Sequence, residues 1–135
     1  MSHRSKGFSL IELLIIVAIV AILTAISVPS YRSYVQKTCR NEAKSAILEV
    51  VAMQEKHYFQ NNTYAALDGL GFSVPLNTPE GCYVISVVND EDTYEITATS
   101  IGAQLGDTNC TSFSMDHLGQ KTALGGASNP TDVCW

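Results

Sequence analysis

The sequence predicts an α+β protein in which a long N-terminal helix, apolar in its first half and amphipathic in its second, packs on an antiparallel sheet of about four strands. Three observations lead to this fold class. A nearly uninterrupted apolar run extends from Phe8 to Val28, an apolar stripe at helical spacing continues to about Phe59, and segments of alternating polarity follow. A helix and a sheet that each have one apolar face can bury both by packing together.

The composition restricts the class of protein. The chain has 135 residues, which is the size of one ordinary domain and leaves no room for a separate catalytic domain. With 46% hydrophobic and 16% charged residues it is too apolar to be disordered. The formal net charge of −5 argues against nucleic acid as a partner. Four scattered cysteines indicate disulfide bonds and an oxidising compartment rather than a zinc site.

The apolar run from Phe8 to Val28 predicts a membrane-spanning helix or the centre of a helical assembly. Four polar residues interrupt it, namely Ser9, Glu12, Thr24 and Ser27. About twenty helical residues span the ~30 Å hydrocarbon core of a bilayer. A helix that is apolar all round needs lipid or other subunits around it, because a chain this short cannot bury it in its own core.

The first seven residues contain Arg4 and Lys6 and no acid. Basic residues ahead of an apolar run mark the cytoplasmic side, so the C-terminal body is expected outside. A secretory signal peptide or a simple anchor is the alternative, with cleavage conceivable after Ala21 or Ala25, although the apolar run continues past both. Glu12 fits neither alternative, since an unpaired carboxylate in a membrane is costly and usually has a function.

The segment from Gly7 to Glu12, read together with the apolar run, resembles the start of a type IV prepilin. The resemblance implies that a prepilin peptidase cleaves between Gly7 and Phe8, that Phe8 becomes N-methylated, and that the helix stays in the mature subunit. It also implies three parts of the chain. These are a leader over residues 1–7, a transmembrane and filament-core helix segment over 8–28, and a periplasmic or extracellular head over 29–135.

The resemblance gives roles to two further residues. Glu12 is expected to neutralise the Phe8 ammonium of a neighbouring subunit during assembly, because the two charges attract strongly where the dielectric constant is low. Pro29 stands near a position where pilins carry proline, and it is expected to kink or locally melt the helix. Ala21 departs from the common glycine, which leaves the extent of melting open.

The second half of the helix is amphipathic and is predicted to end near Phe59. Asn61–Tyr64 supplies turn-forming residues just beyond it. His57 is interpreted as a core histidine rather than a metal ligand. The apolar stripe covers an arc of about 120° and consists of Val35, Cys39, Ala43, Ala46, Ile47, Val50, Met53 and His57.

The remaining chain is predicted to form a meander of strands. The stretch up to Gly81 is interpreted as a loop, and the Gly/Asn/Pro-rich end of the chain as an irregular tail. Alternation of apolar and polar residues, or a short apolar run, predicts the strands. They are Cys82–Val88, Thr93–Ser100, Cys110–Asp116 and, as a short fourth strand, Lys121–Leu124.

The C-terminal half most closely resembles PilE-type minor pilins, which extends the resemblance to nearly the whole chain. It implies a Cys110–Cys134 disulfide that closes the terminal loop. Cys39 lies on the helix stripe and Cys82 begins the first predicted strand, so a Cys39–Cys82 bridge would tie the helix to the sheet. The matching segments are Gln54–Tyr58, Asn61–Tyr64, Tyr94–Thr99, Asp107–Cys110, Leu118–Lys121 and Cys134–Trp135.

These features predict a structural subunit of a type IV pilus. The expected role is a minor pilin that supports pilus assembly or initiation, and through it adhesion, twitching motility or DNA uptake. A major pilin, a type II secretion pseudopilin and a DNA-uptake receptor are the alternatives. The expected partners are other pilin subunits, the prepilin peptidase, the assembly machinery and the membrane. The subunit is expected to wait in the inner membrane before it enters the surface pilus.

Direct binding of nucleic acid is not expected, because nine acidic residues and only one basic residue, Lys121, follow Lys56, a net charge of −8. An enzyme is not expected either, and no cofactor or metal is implied. His117 stands beside Asp116, but alternation places the nearby serines on a solvated strand face. The acidic segment Asp90–Asp92 is interpreted as a polar turn rather than a calcium site, because the spacing lacks an EF-hand pattern.

Overall fold

The computed structural model describes residues 7–135, which divide into two compact units, one up to Val35 and one from Gln36 to Trp135. Helix α1, Leu10–Asn61, supplies all of the regular structure of the first unit and the long helix of the second. Its bounds agree within two residues with the predicted helix. It is continuous through Pro29, so no unwound stretch is found there, and a bend at this proline stays a prediction.

The second unit contains one antiparallel sheet of five strands in the order β1-β2-β3-β4-β5. Four of them correspond to the predicted strands. The fifth, β1, lies in the stretch that was predicted to be a loop, which corrects the expected number from about four to five. Its two residues are too few to show an alternating pattern. The strands are β1 Leu76–Asn77, β2 Tyr83–Asn89, β3 Tyr94–Ser100, β4 Ser112–Asp116 and β5 Lys121–Leu124.

The register of the sheet aligns one buried row across its central strands. Ile85 of β2 pairs with Ala98 of β3, and Ala98 pairs with Phe113 of β4. These side chains face the interior members of the helix stripe, which are buried as predicted. The ends of the stripe are less buried, since Val35 is 38% exposed and His57 is half-buried. The buried helix residues are Cys39, Ala43, Ile47, Val50 and Gln54.

Gln54 is a buried polar residue that the sequence pattern did not single out. Its side-chain Nε2 donates to the Ala65 carbonyl at 2.6 Å, and its Oε1 accepts from the Ala65 amide at 3.0 Å. Both ends of the amide are therefore satisfied, which removes the usual cost of burying such a group. The pair attaches the segment after α1 to the helix, just beyond Asn62, whose positive φ of 55° ends the helical path.

Two short helical turns occupy stretches that the sequence left irregular. A 3₁₀ helix spans Gly102–Gly106, and α2 spans Pro130–Cys134 near the end of the chain. Pro130 suits the first turn of a helix, because proline lacks the amide hydrogen that would be unpaired there. Both turns are too short to show a helical period in sequence. They position the cysteines and the polar side chains described below.

Candidate functional site: the exposed apolar helix and the head

The apolar part of α1 is exposed along its whole length. Its large apolar side chains are between 44% exposed at Ile16 and 77% exposed at Leu10. An 18-residue window of this helix reaches a mean hydropathy of 2.9, and none of it is buried. From Leu10 to Val28 the helix rises about 28 Å, close to the ~30 Å hydrocarbon thickness of a bilayer. Signal sequences share these properties, so the features of the following paragraphs are needed to interpret the segment.

The hydroxyl groups within this segment are satisfied by the helix itself. Thr24 Oγ1 donates to the Val20 carbonyl at 2.7 Å, and Ser27 Oγ donates to the Leu23 carbonyl at 2.8 Å. Polar groups that bond to their own helix can lie in lipid without leaving an unpaired donor. These two interruptions of the apolar run are therefore compatible with a membrane.

Glu12 is the only acidic residue of the described part of the first unit, and its side chain is exposed. It lies in the first turn of α1, where the helix dipole favours a carboxylate. Gly7 and Phe8 precede the helix, and both are exposed, so the bond between them lies in non-helical chain. This arrangement is compatible with cleavage between Gly7 and Phe8. Most of the predicted leader, residues 1–6, lies outside the described residues.

Two disulfide bonds are present, Cys39–Cys82 and Cys110–Cys134, with Cα–Cα distances of 5.7 and 5.6 Å. The first joins α1 to the residue that precedes β2. The second joins the residue before β4 to the end of α2 and closes a terminal loop. No cysteine in the described part of the chain is free.

A buried ion pair between Arg40 and Asp107 attaches α1 to the turn before Cys110. Arg40 donates from Nε to Oδ2 at 2.7 Å and from Nη2 to Oδ1 at 2.6 Å. The Asp107 side chain is only 2% exposed. These hydrogen bonds to Asp107 raise the pKa of Arg40, so the guanidinium stays charged. Sequence reasoning did not predict this pair, because the partners are 67 residues apart and neither belongs to a recognisable motif.

The ion pair continues into a chain of buried hydrogen bonds. Gln104 Nε2 donates to Asp107 Oδ2 at 2.9 Å and to the Tyr83 hydroxyl at 3.2 Å. The Tyr83 hydroxyl donates to the Cys110 carbonyl at 3.3 Å. Burial raises the pKa of Tyr83, which keeps this hydroxyl protonated as a donor. The network therefore connects the helix, the 3₁₀ turn and the second disulfide.

Trp135 engages two of the head's cations. Lys44 Nζ donates to a main-chain oxygen of Trp135 at 2.7 Å, and Lys121 Nζ lies 4.7 Å from the centre of its ring. The ring also packs edge-on against Phe113 at 5.2 Å. Partial burial, with a contribution from the nearby Arg40 charge, lowers the pKa of Lys44.

The charge of residues 36–135 is strongly negative. Twelve acidic residues stand against five basic ones in this unit. Three of the five, Arg40, Lys44 and Lys121, have the partners just described, which leaves Lys37 and Lys56 as exposed cations without such contacts in the described chain. The unit therefore has no cluster of exposed cations.

The residues considered for catalysis build a turn instead. Asp116 Oδ1 accepts from the amides of Leu118 and Gln120 at 2.9 and 2.8 Å, which fixes the β4–β5 connection. Ser114 Oγ donates to Glu95 Oε1 at 2.7 Å on the outer face of the sheet. Within residues 7–135 there is no group of three or more His, Cys, Asp or Glu side chains that could hold a metal ion.

His57 has a structural hydrogen bond. Its Nδ1 lies 2.8 Å from the Thr63 carbonyl, next to the end of α1. Its partly buried ring and this contact agree with the interpretation of a satisfied histidine that helps to close the helix end.

Two family models match the sequence. The prokaryotic N-terminal methylation motif matches residues 2–28, and a family described as "Type IV minor pilin ComP, DNA uptake sequence receptor" matches residues 29–114. Together the two matches run from the leader into β4. The second match alone covers more than half of the chain.

Individual relatives agree with these matches. The fimbrial protein EcpC of Eikenella corrodens is 30% identical over 131 residues, covering 96% of this chain and 80% of its own length. The type IV major pilin protein PilE1 of Neisseria gonorrhoeae is 35% identical over 109 residues, covering 76% of this chain and 57% of the relative. The chain spans about half the length of the first curated relatives that it matches, from 40% to 61%.

A solved structure shows the same fold. The type IV pilin from Shewanella oneidensis superposes with a TM-score of 0.53 at 22% identity, over 74% of this chain and 97% of that one. At this identity the likeness concerns the fold alone. The long helix on an antiparallel sheet, the methylation motif and the family matches lead to one conclusion. The chain belongs to the type IV pilin family.

Proposed function

We propose that this pilin is a minor subunit of a type IV pilus that helps to initiate or complete filament assembly. The observation that carries the proposal is the fully exposed apolar segment of α1, which needs lipid or neighbouring helices around it. The description of the matching family as a minor pilin supports the minor role. Adhesion, twitching motility or DNA uptake would then depend on the filament that contains the subunit.

The proposal assigns residues 1–7 to a leader, 8–28 to the membrane and filament-core segment, and 29–135 to the head. A prepilin peptidase would cleave after Gly7, and Phe8 would be N-methylated. The mature chain would wait in the inner membrane with its head in the periplasm, until the assembly machinery transfers it to the surface pilus. The exposed, non-helical position of Gly7 and Phe8 supports this processing.

The assembly step depends on Glu12 in this proposal. Cleavage leaves an ammonium at Phe8, four residues before the carboxylate. Neither charge is favourable alone in lipid or in a helical core, but a pair between neighbouring subunits is strongly attractive there. The pairing would thus set the register of an incoming subunit and favour its extraction from the membrane.

Mass spectrometry of sheared, purified filaments, digested without reduction, tests the proposal. We expect a peptide that begins at methylated Phe8, together with both disulfide-linked peptide pairs, in trace amounts relative to the dominant subunit. Dominant abundance would make this chain the major pilin. Processed protein confined to the membrane would favour a type II secretion pseudopilin. A terminus that retains residues 1–7, or one cut beyond Ala21, would contradict the processing itself.

The same preparation separates the role of Glu12 from general damage to the helix. We expect Glu12→Ala to be cleaved and methylated normally but to be lost from the filaments. Thr24→Ala is the matched control, because its hydroxyl bonds only to its own helix. Normal incorporation of the Glu12→Ala protein would refute the pairing.

A DNA-uptake receptor is the second candidate, because the matching family's description contains that activity. The charge of this head argues against it. DNA binding depends on clustered cations, and the described head has two exposed cations without partners among twelve acids. We therefore rank direct DNA binding below a structural role.

A further inference from the structure

Three exposed side chains follow the apolar segment of α1. Tyr31 and Tyr34 are each 69% exposed, and Arg32 is exposed between them. All three belong to the first unit and lie on uninterrupted helix beyond Pro29. We call Tyr31, Arg32 and Tyr34 the collar. Large aromatic side chains this exposed need a surface that suits both their apolar rings and their polar hydroxyl groups.

The position of the collar along the helix matches the edge of a bilayer. The apolar run ends at Val28, and Tyr31 lies three residues further, about 4.5 Å along the helix axis. When the apolar run fills the ~30 Å hydrocarbon core, this distance places the ring in the headgroup region, which is several ångströms thick. Tyrosine and tryptophan are enriched at this depth in membrane proteins, because one end of the side chain is apolar and the other is polar.

The charge of the collar favours an anionic partner. No acidic residue occurs between Glu12 and Glu42, so Arg32 has no carboxylate near it in sequence. The single ion pair of the described chain joins Arg40 to Asp107 and does not involve Arg32. An arginine here can extend its aliphatic stem along the apolar region and place its guanidinium at the phosphate level, where two parallel hydrogen bonds fit a phosphate group.

We propose that the collar binds the headgroups of anionic phospholipids and fixes the depth of the subunit in the membrane before assembly. The inference rests on the proposed membrane stage of the subunit and adds a lipid-binding site to it. Arg32 contacts the phosphate, and the two tyrosines lie beside it between the acyl chains and water. The occupant is a lipid because the collar directly continues the apolar segment that lipid would surround.

Photolabelling in a membrane tests the collar. The full chain is reconstituted in vesicles of equal parts phosphatidylcholine and phosphatidylglycerol, with a diazirine in the phosphatidylglycerol headgroup. Tandem mass spectrometry then locates the labelled residues. We expect label on residues 31–34, reduced about five-fold in Arg32→Gln, the factor that one cation contributes near an anionic surface. Lys56→Gln, which removes an exposed cation of the second unit, should leave this label unchanged.

The outcomes separate this inference from the function on which it rests. A chain that alkaline carbonate extracts from the vesicles is not inserted, which would contradict the membrane stage and the collar together. Label confined to the basic leader, or label at residues 31–34 that Arg32→Gln does not reduce, would overturn the collar alone. Unchanged label in Arg32→Gln, with loss of this variant from filaments, would show that Arg32 contacts another subunit instead of lipid.

Discussion

At Gly125 the chain has no room for a side chain. A Cβ atom there would lie 2.1 Å from the Asn109 carbonyl oxygen and 2.9 Å from the Cys110 amide nitrogen. Both neighbours are main-chain atoms next to a disulfide, so neither can move aside easily. We expect Gly125→Ala to lower the free energy of unfolding by about 1–3 kcal/mol, the usual cost of overpacking.

Urea unfolding of the full chain in detergent, followed by the fluorescence of the single tryptophan, measures this cost. Trp135 packs on Phe113, so its emission reports on the head. Gly126→Ala is the matched control, since a Cβ there meets only the Thr108 carbonyl oxygen at an ordinary 3.5 Å. We expect the control to stay within about 0.5 kcal/mol of the wild type. Equal stability of the two variants would mean that the backbone near Asn109 yields.

The connection between α1 and the turn before Cys110 depends on a buried ion pair. Arg40→Ala would leave the Asp107 carboxylate, 2% exposed, without its cation. Removing one member of a buried pair costs about 3–5 kcal/mol, so we expect a loss of this size in the same urea measurement. Lys37→Ala removes an exposed cation one helical turn earlier and should change stability by less than about 0.5 kcal/mol.

A double variant distinguishes the unpaired charge from lost packing. In Arg40→Met/Asp107→Leu no charge is left buried, and apolar groups of similar size fill the space. Such replacements are often neutral, so we expect most of the loss to be recovered. A double variant as unstable as Arg40→Ala would show that the hydrogen bonds from Gln104 to Asp107, rather than the unpaired charge, account for the loss.

The sequence predicted the elements whose patterns are long enough to read. The 52 residues of α1 and the strands β2 to β5 were found because apolar residues recur at helical or alternating spacing. The strand β1 and the helix α2 have two and five residues, too few for either period. Of the candidate site, the apolar segment was evident from composition. Asp107 and Gln104 were not, because their partners are fixed only by the tertiary fold.

At the scale of the whole molecule, charge is distributed unevenly along the chain. Between Glu12 and Glu42 there are basic residues and no acids, whereas nine acids and one base follow Lys56. An acidic surface repels a phosphate backbone, and DNA affinity arises mainly from cations that displace counterions. The exposed Lys37 and Lys56 are nineteen residues apart on one helix, which rises about 28 Å between them, so they do not form a cluster.

We therefore expect the full chain in detergent to bind duplex DNA with a dissociation constant weaker than about 10⁻⁴ M at physiological salt, the weak end of non-specific binding. Fluorescence anisotropy of labelled duplexes, both random and enriched in sequences repeated in the host genome, measures this across a salt series. Lys37→Gln/Lys56→Gln is the control, because it removes the head's two unpartnered exposed cations. Micromolar binding that falls steeply with salt and is lost in this double variant would contradict the prediction. It would favour the DNA-receptor function over a purely structural one, because two cations would then suffice for recognition.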